Sequence, residues 1–304
     1  MTATAILLII CSAIIHALWN LLCKKSNSTA AFFLIASCTS CIILLPFIAY
    51  SFRLVISIPL QVWILLAITG LFQSLYYSAL AKAYKHGEIS VAYPVARTLP
   101  VVLVALIVYV ISGGREALSH ESMFGVLLIA FGCIMLPMQH LRDFRFKNYL
   151  NISCLFSVLA AVGTTGYSII DDYSMELLKI HFSKTENIAF VSLMYIFIET
   201  LFTFIWLGMF VRGNREERAS LKAVCKESKL SAIITGVGIT LSYSMILMAM
   251  TFAANVSYVV AFRQMGIFIG ALLGIIFLRE AIKLPKALGL CLLLIGLLLI
   301  ALGT

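Results

Sequence analysis

Apolar runs of roughly 20 residues, the length needed to cross a bilayer core about 30 Å thick, alternate with short polar breaks along this chain. Reading the breaks as loops predicts spans at 4–23, 30–52, 60–82, 88–111, 122–139, 149–172, 188–211, 230–251, 255–278 and 286–303. The expected fold is an all-α membrane protein with ten transmembrane helices. The first run, from about Thr4 to Cys23, has no basic residue ahead of it and no small-residue cleavage pattern, so it is expected to remain as a span and not to be removed as a signal peptide.

Composition narrows the function classes. Of 304 residues, 62% are hydrophobic and 12% charged, with a mean hydropathy of +1.07; soluble domains hold about 45–50% and 25%. The eight cysteines are scattered through apolar runs, and the close pair Cys38 and Cys41 has no second pair to complete a metal site, so they read as packing residues. Neither GxSxG nor HExxH occurs, and the five histidines, His16, His86, His120, His140 and His181, lie mostly in loops or at helix ends. An enzyme is therefore not expected, and nothing calls for a cofactor or a metal.

The formal charge of +9 has no soluble domain to carry it, which argues against nucleic acid as a partner. It encodes orientation instead. The breaks after the odd-numbered spans hold sixteen basic residues, including Lys24, Lys25, Lys82, Lys85, Arg142, Lys286 and six between Arg212 and Lys229; the other side holds only Arg53, Arg115, Lys179 and Lys184. By the positive-inside rule both termini are external, in a bacterial inner membrane or plasma membrane. The loop RGNREERASLKAVCKESK is expected to be a solvated linker near the headgroups, with a regulatory or partner-binding role as the other reading.

An internal repeat organises the spans. YSALAKAYKHGEISVAYPVARTLP, from Tyr77, parallels YSMILMAMTFAANVSYVVAFRQM, from Tyr243, with a shared Val-x-Tyr-x-Val-Ala core. Arg115-Glu116 corresponds to Arg279-Glu280, Gly125 to Gly289 and Gly132 to Gly296, all at one offset. The expected units are residues 1–139 and 149–304, joined by a cytosolic linker over 140–148. Each unit contains five spans, an odd number, so the two halves have inverted topology. Inverted repeats point to alternating access around a site near the midplane.

The segments ALLGIIFLREAIKLPKALGLCLLLIGLLLIAL and ISGGREALSHESMFGVLLIAFGCIML each join a small-residue-rich span, an acidic residue and a glycine-containing final span. Over nearly the whole chain this resembles the drug/metabolite transporter superfamily of EamA type. The resemblance implies a permease for small solutes, with efflux as its direction. The opening IIHALWNLLCKK also resembles the small multidrug resistance family, with His16 standing eight residues before Lys24 where that family carries a membrane-embedded glutamate.

Ionisable residues at membrane depth face a bundle interior or a water-filled cavity. His16, Trp19 and Asn20 fall on one polar-aromatic stripe of the first span. Arg97 and Arg263 lie eight to ten residues into spans related by the repeat, with Tyr93 a turn before Arg97 and Gln264 beside Arg263. A guanidinium stays charged and offers a fork of donors suited to carboxylate or phosphate. Glu199 stands near the middle of its span with Tyr195 on the same face; it either pairs with an interior arginine or meets substrate or a proton. Asp171 and Asp172 are expected at a solvated helix end near the outer surface.

These nine residues, His16, Trp19, Asn20, Tyr93, Arg97, Tyr195, Glu199, Arg263 and Gln264, are the candidate substrate site. The expected cargo is a small polar or amphipathic metabolite, amino-acid-like or otherwise anionic or zwitterionic. The expected partners are that small molecule and membrane lipids. A flippase for a lipid-linked phosphate headgroup and a non-transporting structural membrane subunit are the competing readings.

Overall fold

The computed structural model describes residues 3–50, 52–111, 120–141, 149–182, 188–251 and 265–303. Every regular element among them is helical. These are α1 (Ala3–Lys25), α2 (Ala30–Tyr50), the short α3 (Phe52–Ile56), α4 (Leu60–His86), α5 (Ile89–Ile111) and α6 (His120–Met135). They continue with α7 (Ile152–Phe182), α8 (Ile188–Gly213), α9 (Arg215–Ala223), α10 (Lys229–Thr251), α11 (Met265–Leu278) and α12 (Leu284–Gly303). Helices α1, α2, α4, α7, α8 and the α9–α10 unit are long and apolar enough to cross a membrane, and shorter apolar stretches lie on α5, α6, α11 and α12. Large apolar side chains such as Leu7, Ile42, Leu155 and Met209 stand exposed on the outside. Such a surface is a liability in water and a match for lipid, so the chain is an all-α membrane protein.

Small residues set the closest helix approaches, as expected where lipid removes the hydrophobic driving force between helices. A Cβ at Gly163 of α7 would lie 2.9 Å from Phe72 O and Tyr76 N, which brings α7 onto the backbone of α4. The α6–α12 seam is reciprocal. A Cβ at Gly125 would lie 2.6 Å from Gly296 O, and one at Gly296 would lie 2.6 Å from Gly125 O. Gly132 and Gly289 face each other's carbonyls in the same way, at 2.8 and 2.9 Å. The other main packings are α4 on α7, α1 on α10, α5 on α7, α1 on α11, α2 on α10, α4 on α8, α2 on α8 and α5 on α11.

Two expectations change. The helix expected to end at 172 runs on to Phe182, because Leu178 and Phe182 bury against Val62, Leu66 and Val191 and carry the helical period past the two aspartates. The segment read as a solvated linker is helical. Asn214 caps α9 by accepting from Glu216 N at 2.9 Å and Glu217 N at 3.2 Å, and a π-helical turn over Val224–Ser228 runs directly into α10. Glu217 Oε2 then accepts from Ala31 N at 3.1 Å, tying this segment to the start of α2.

Candidate functional site

Arg97 lies on α5 between Pro94 and Pro100. Each proline lacks an N–H, so the carbonyls of Ser90 and Ala96 lose their helical donors and the backbone around Arg97 is locally open. Thr98 Oγ1 donates to Pro94 O at 2.8 Å. One turn before Arg97, Tyr93 is fully buried. Its ring occupies space left by Gly270 of α11, where a Cβ would sit 2.3 Å from Tyr93 Cε1. On the α1 side, the His16 ring meets Trp19 edge-on at 4.7 Å and Tyr93 at a tilt at 6.1 Å. The sequence-predicted residues His16, Trp19, Tyr93 and Arg97 thus come together where α1, α5 and α11 converge.

Four phenols lie within electrostatic reach of the guanidinium. The ionisable groups that act on it are Tyr93, Tyr76, Tyr167 and Tyr84. Its Nε is buried without a hydrogen-bond partner, and so is the indole Nε1 of Trp19. Among the described residues no carboxylate pairs with Arg97. A guanidinium in this position keeps donor capacity for an anionic group.

Asn20 has a different task. It is completely buried, its Oδ1 accepts from Tyr84 OH at 2.7 Å, and its Nδ2 donates to His16 O at 2.7 Å. These bonds join α1 to α4 and hold the backbone that carries His16. The remaining candidates, Arg263 and Gln264, lie outside the described residues.

The carboxylates form a second centre. Asp171, expected at a solvated helix end, is half-buried within α7, and its Oδ1 accepts from Tyr195 OH at 2.6 Å and from Thr69 Oγ1 at 2.9 Å. The reason for the correction is that α4 and α8 both supply hydroxyl donors to this one oxygen, which lets the acid sit inside the helix bundle. Glu199, one turn after Tyr195 on α8, is 8% exposed. Asp171 is the charged group that acts on it. Among the described residues no hydrogen bond reaches its carboxylate. Tyr76 and Tyr77 lie between the two centres: their rings are 5.1 Å apart, Tyr76 in the field of Arg97 and Tyr77 in that of Glu199.

A third cluster closes one end of the bundle. Glu280 Oε1 accepts from Ile89 N at 2.7 Å and Oε2 from Ser90 N at 2.9 Å, so an acid from beyond α11 caps α5. Arg279, at φ 55°, turns the chain to deliver it, and Gly274 leaves the room it needs. Lys286 of α12 is 5% exposed and donates to Glu88, to Ser90 Oγ at 3.0 Å and to Ala281 O at 2.8 Å. Lys24 donates to the carbonyls of Tyr84 and Gly87 at the end of α4. A cleft of about 480 Å³ opens beside this latch, lined by Lys24, Lys85, His86, Glu88 and Glu280.

Sequence reasoning missed the phenols Tyr76, Tyr84 and Tyr167, the hydroxyl of Thr69 and the interior place of Asp171. The available signal was the crowding of tyrosines on α4 opposite the Tyr93–Arg97 turn, and the apolar period that continues past Asp172.

Residues 3–138 match the EamA-like transporter family. A solved structure, described as the crystal structure of a protein, superposes with a TM-score of 0.55 at 18% identity, over 98% of this chain and 96% of that one. At that identity the likeness is one of fold, and it extends past the family match to the whole chain. No curated protein matches.

Proposed function

From an EamA-like transporter unit over residues 3–138 as premise, we propose that this integral membrane protein is a secondary transporter, working outward, for small anionic or zwitterionic metabolites. Arg97 holds the anionic group of the cargo. The observation that carries this reading is a guanidinium inside the helix bundle, within electrostatic reach of four phenols, with an unfilled donor and no carboxylate partner among the described residues. Leaving a charge so placed costs at least about 2.5–3.5 kcal/mol, which water or cargo must offset. Tyr93 and Trp19 border the same space and supply aromatic surface for an amphipathic solute.

Alternating access is supported by the way the helices pack. Exchanging α1, α2, α4, α5 and α6 with α7, α8, α10, α11 and α12 turns α4-on-α7 into α10-on-α1, α5-on-α7 into α11-on-α1 and α2-on-α10 into α8-on-α4. The contacts α2-on-α8, α5-on-α11 and α6-on-α12 map onto themselves. That exchange supports the reading of two inverted five-helix halves. With the basic breaks inside, the latch end is cytosolic and both termini are external.

A thermal-shift screen of carboxylate, amino-acid-like and phosphonate compounds finds the cargo, and counterflow of the labelled hit in proteoliposomes tests transport. Arg97→Lys keeps the charge and loses the planar fork, so affinity for the hit falls at least about tenfold with little change in stability. Wild-type affinity in that variant defeats the assignment of Arg97. Failure of every hit to exchange across the vesicle membrane defeats transport itself.

A further inference from the structure

The carboxylates Asp171 and Glu199 form no ion pair with Arg97. We propose that they form a separate proton-binding site in which the pair holds one exchangeable proton, carried on Glu199. The argument starts from charge. Two acids close enough for one to act on the other cannot both stay ionised inside a helix bundle unless a cation compensates them. None does so among the described residues: Arg97, the buried cation of the neighbouring centre, acts on neither acid. The cations of α4, Lys82 and Lys85, lie about 20 Å or more along that helix from Thr69 at 1.5 Å per residue, and Arg212 of α8 is equally far from Glu199. Helix α2 carries no charged residue, α10 carries only Lys229 at its first position, and Lys179 of α7 is exposed two turns past Asp171. The remaining ionisable neighbours of Glu199 are the phenols Tyr195 and Tyr77.

Hydrogen bonding then decides which acid is charged. Asp171 Oδ1 takes two hydroxyl donors, Tyr195 at 2.6 Å and Thr69 at 2.9 Å, an arrangement that favours a carboxylate. Glu199 receives none and is left as the neutral acid. Release moves the proton from a Glu199 carboxyl oxygen to water and leaves a carboxylate beside Asp171. Repulsion between the two then favours reloading, or opening of the helices so that water screens both. Coupling of that cycle to solute movement rests on the transporter reading, but the proton site itself does not.

Infrared difference spectra of the full-length protein in lipid test the site without any substrate. The expected result is a protonated-carboxyl C=O band at neutral pH that disappears on alkalinisation. Glu199→Gln removes it. Asp171→Asn keeps it but shifts its loss to lower pH, because the opposing charge is gone. Glu199→Asp, which retains the acid, keeps a band at an altered frequency and serves if the glutamine variant folds poorly. No band in the wild type, an unchanged band in Glu199→Gln, or an unshifted titration in Asp171→Asn overturns the proposal.

Discussion

The latch at one end of the bundle and the interior around Arg97 and Glu199 both bury charge, and they treat it in opposite ways. At the latch three charges are spent: Glu280 on two backbone N–H groups, Lys286 on three acceptors, Lys24 on two carbonyls. In the interior, Arg97 keeps a free Nε and Glu199 accepts nothing among the described residues. A charge whose bonds are filled holds helices together. A charge left open inside a membrane costs stability, and it is kept because something else comes to fill it.

That contrast can be broken by removing charge in each region. The largest effect is expected at the latch, where Glu280→Ala leaves two N–H groups of α5 without acceptors and lowers stability by about 2–4 kcal/mol, read as a fall in thermal midpoint. In the interior the sign reverses. Arg97→Met abolishes solute binding yet leaves stability unchanged or raised by about 1–2 kcal/mol, since an apolar replacement for an uncompensated charge is neutral or favourable. A drop as large as that of Glu280→Ala means that Arg97 is structural. Between the two regions, Tyr84→Phe strips the donor from buried Asn20 and costs about 1–2 kcal/mol, with a matching rise in unfolding by denaturant in mild detergent. The smallest effect belongs to Lys283, which donates to Gln139 in an exposed contact; Lys283→Ala shifts stability by less than about 0.5 kcal/mol.

How much of this was readable beforehand follows from what each feature depends on. Span positions depend on apolar run length, and most helix ends fall within a few residues of the runs. The exception is α7, whose end was placed at Asp171 and Asp172 because acids usually mark a surface. Whether an acid can stay inside depends on donors from other helices, here Thr69 and Tyr195, and no local pattern carries that information. Asn20 shows the converse. It shares a stripe with His16 and Trp19, but only the position of Tyr84 reveals that its amide is already committed. Glu280 stood out as the acid closing a small-residue span, yet its target on α5 lies 190 residues away and required the fold.

The reciprocal glycine seam between α6 and α12 has a consequence for how the two halves can drift apart. At most positions one half is free to change its sequence while the other stands still. At Gly125, Gly132, Gly289 and Gly296 each missing side chain is matched by a carbonyl from the opposite half, and a carbonyl cannot rotate aside as a side chain can. A methyl group at any one of the four pushes the helices apart along the whole crossing, so no sequence change in one half alone relieves it. Those four glycines are therefore positions that α6 and α12 can only exchange together if the crossing is to keep its spacing.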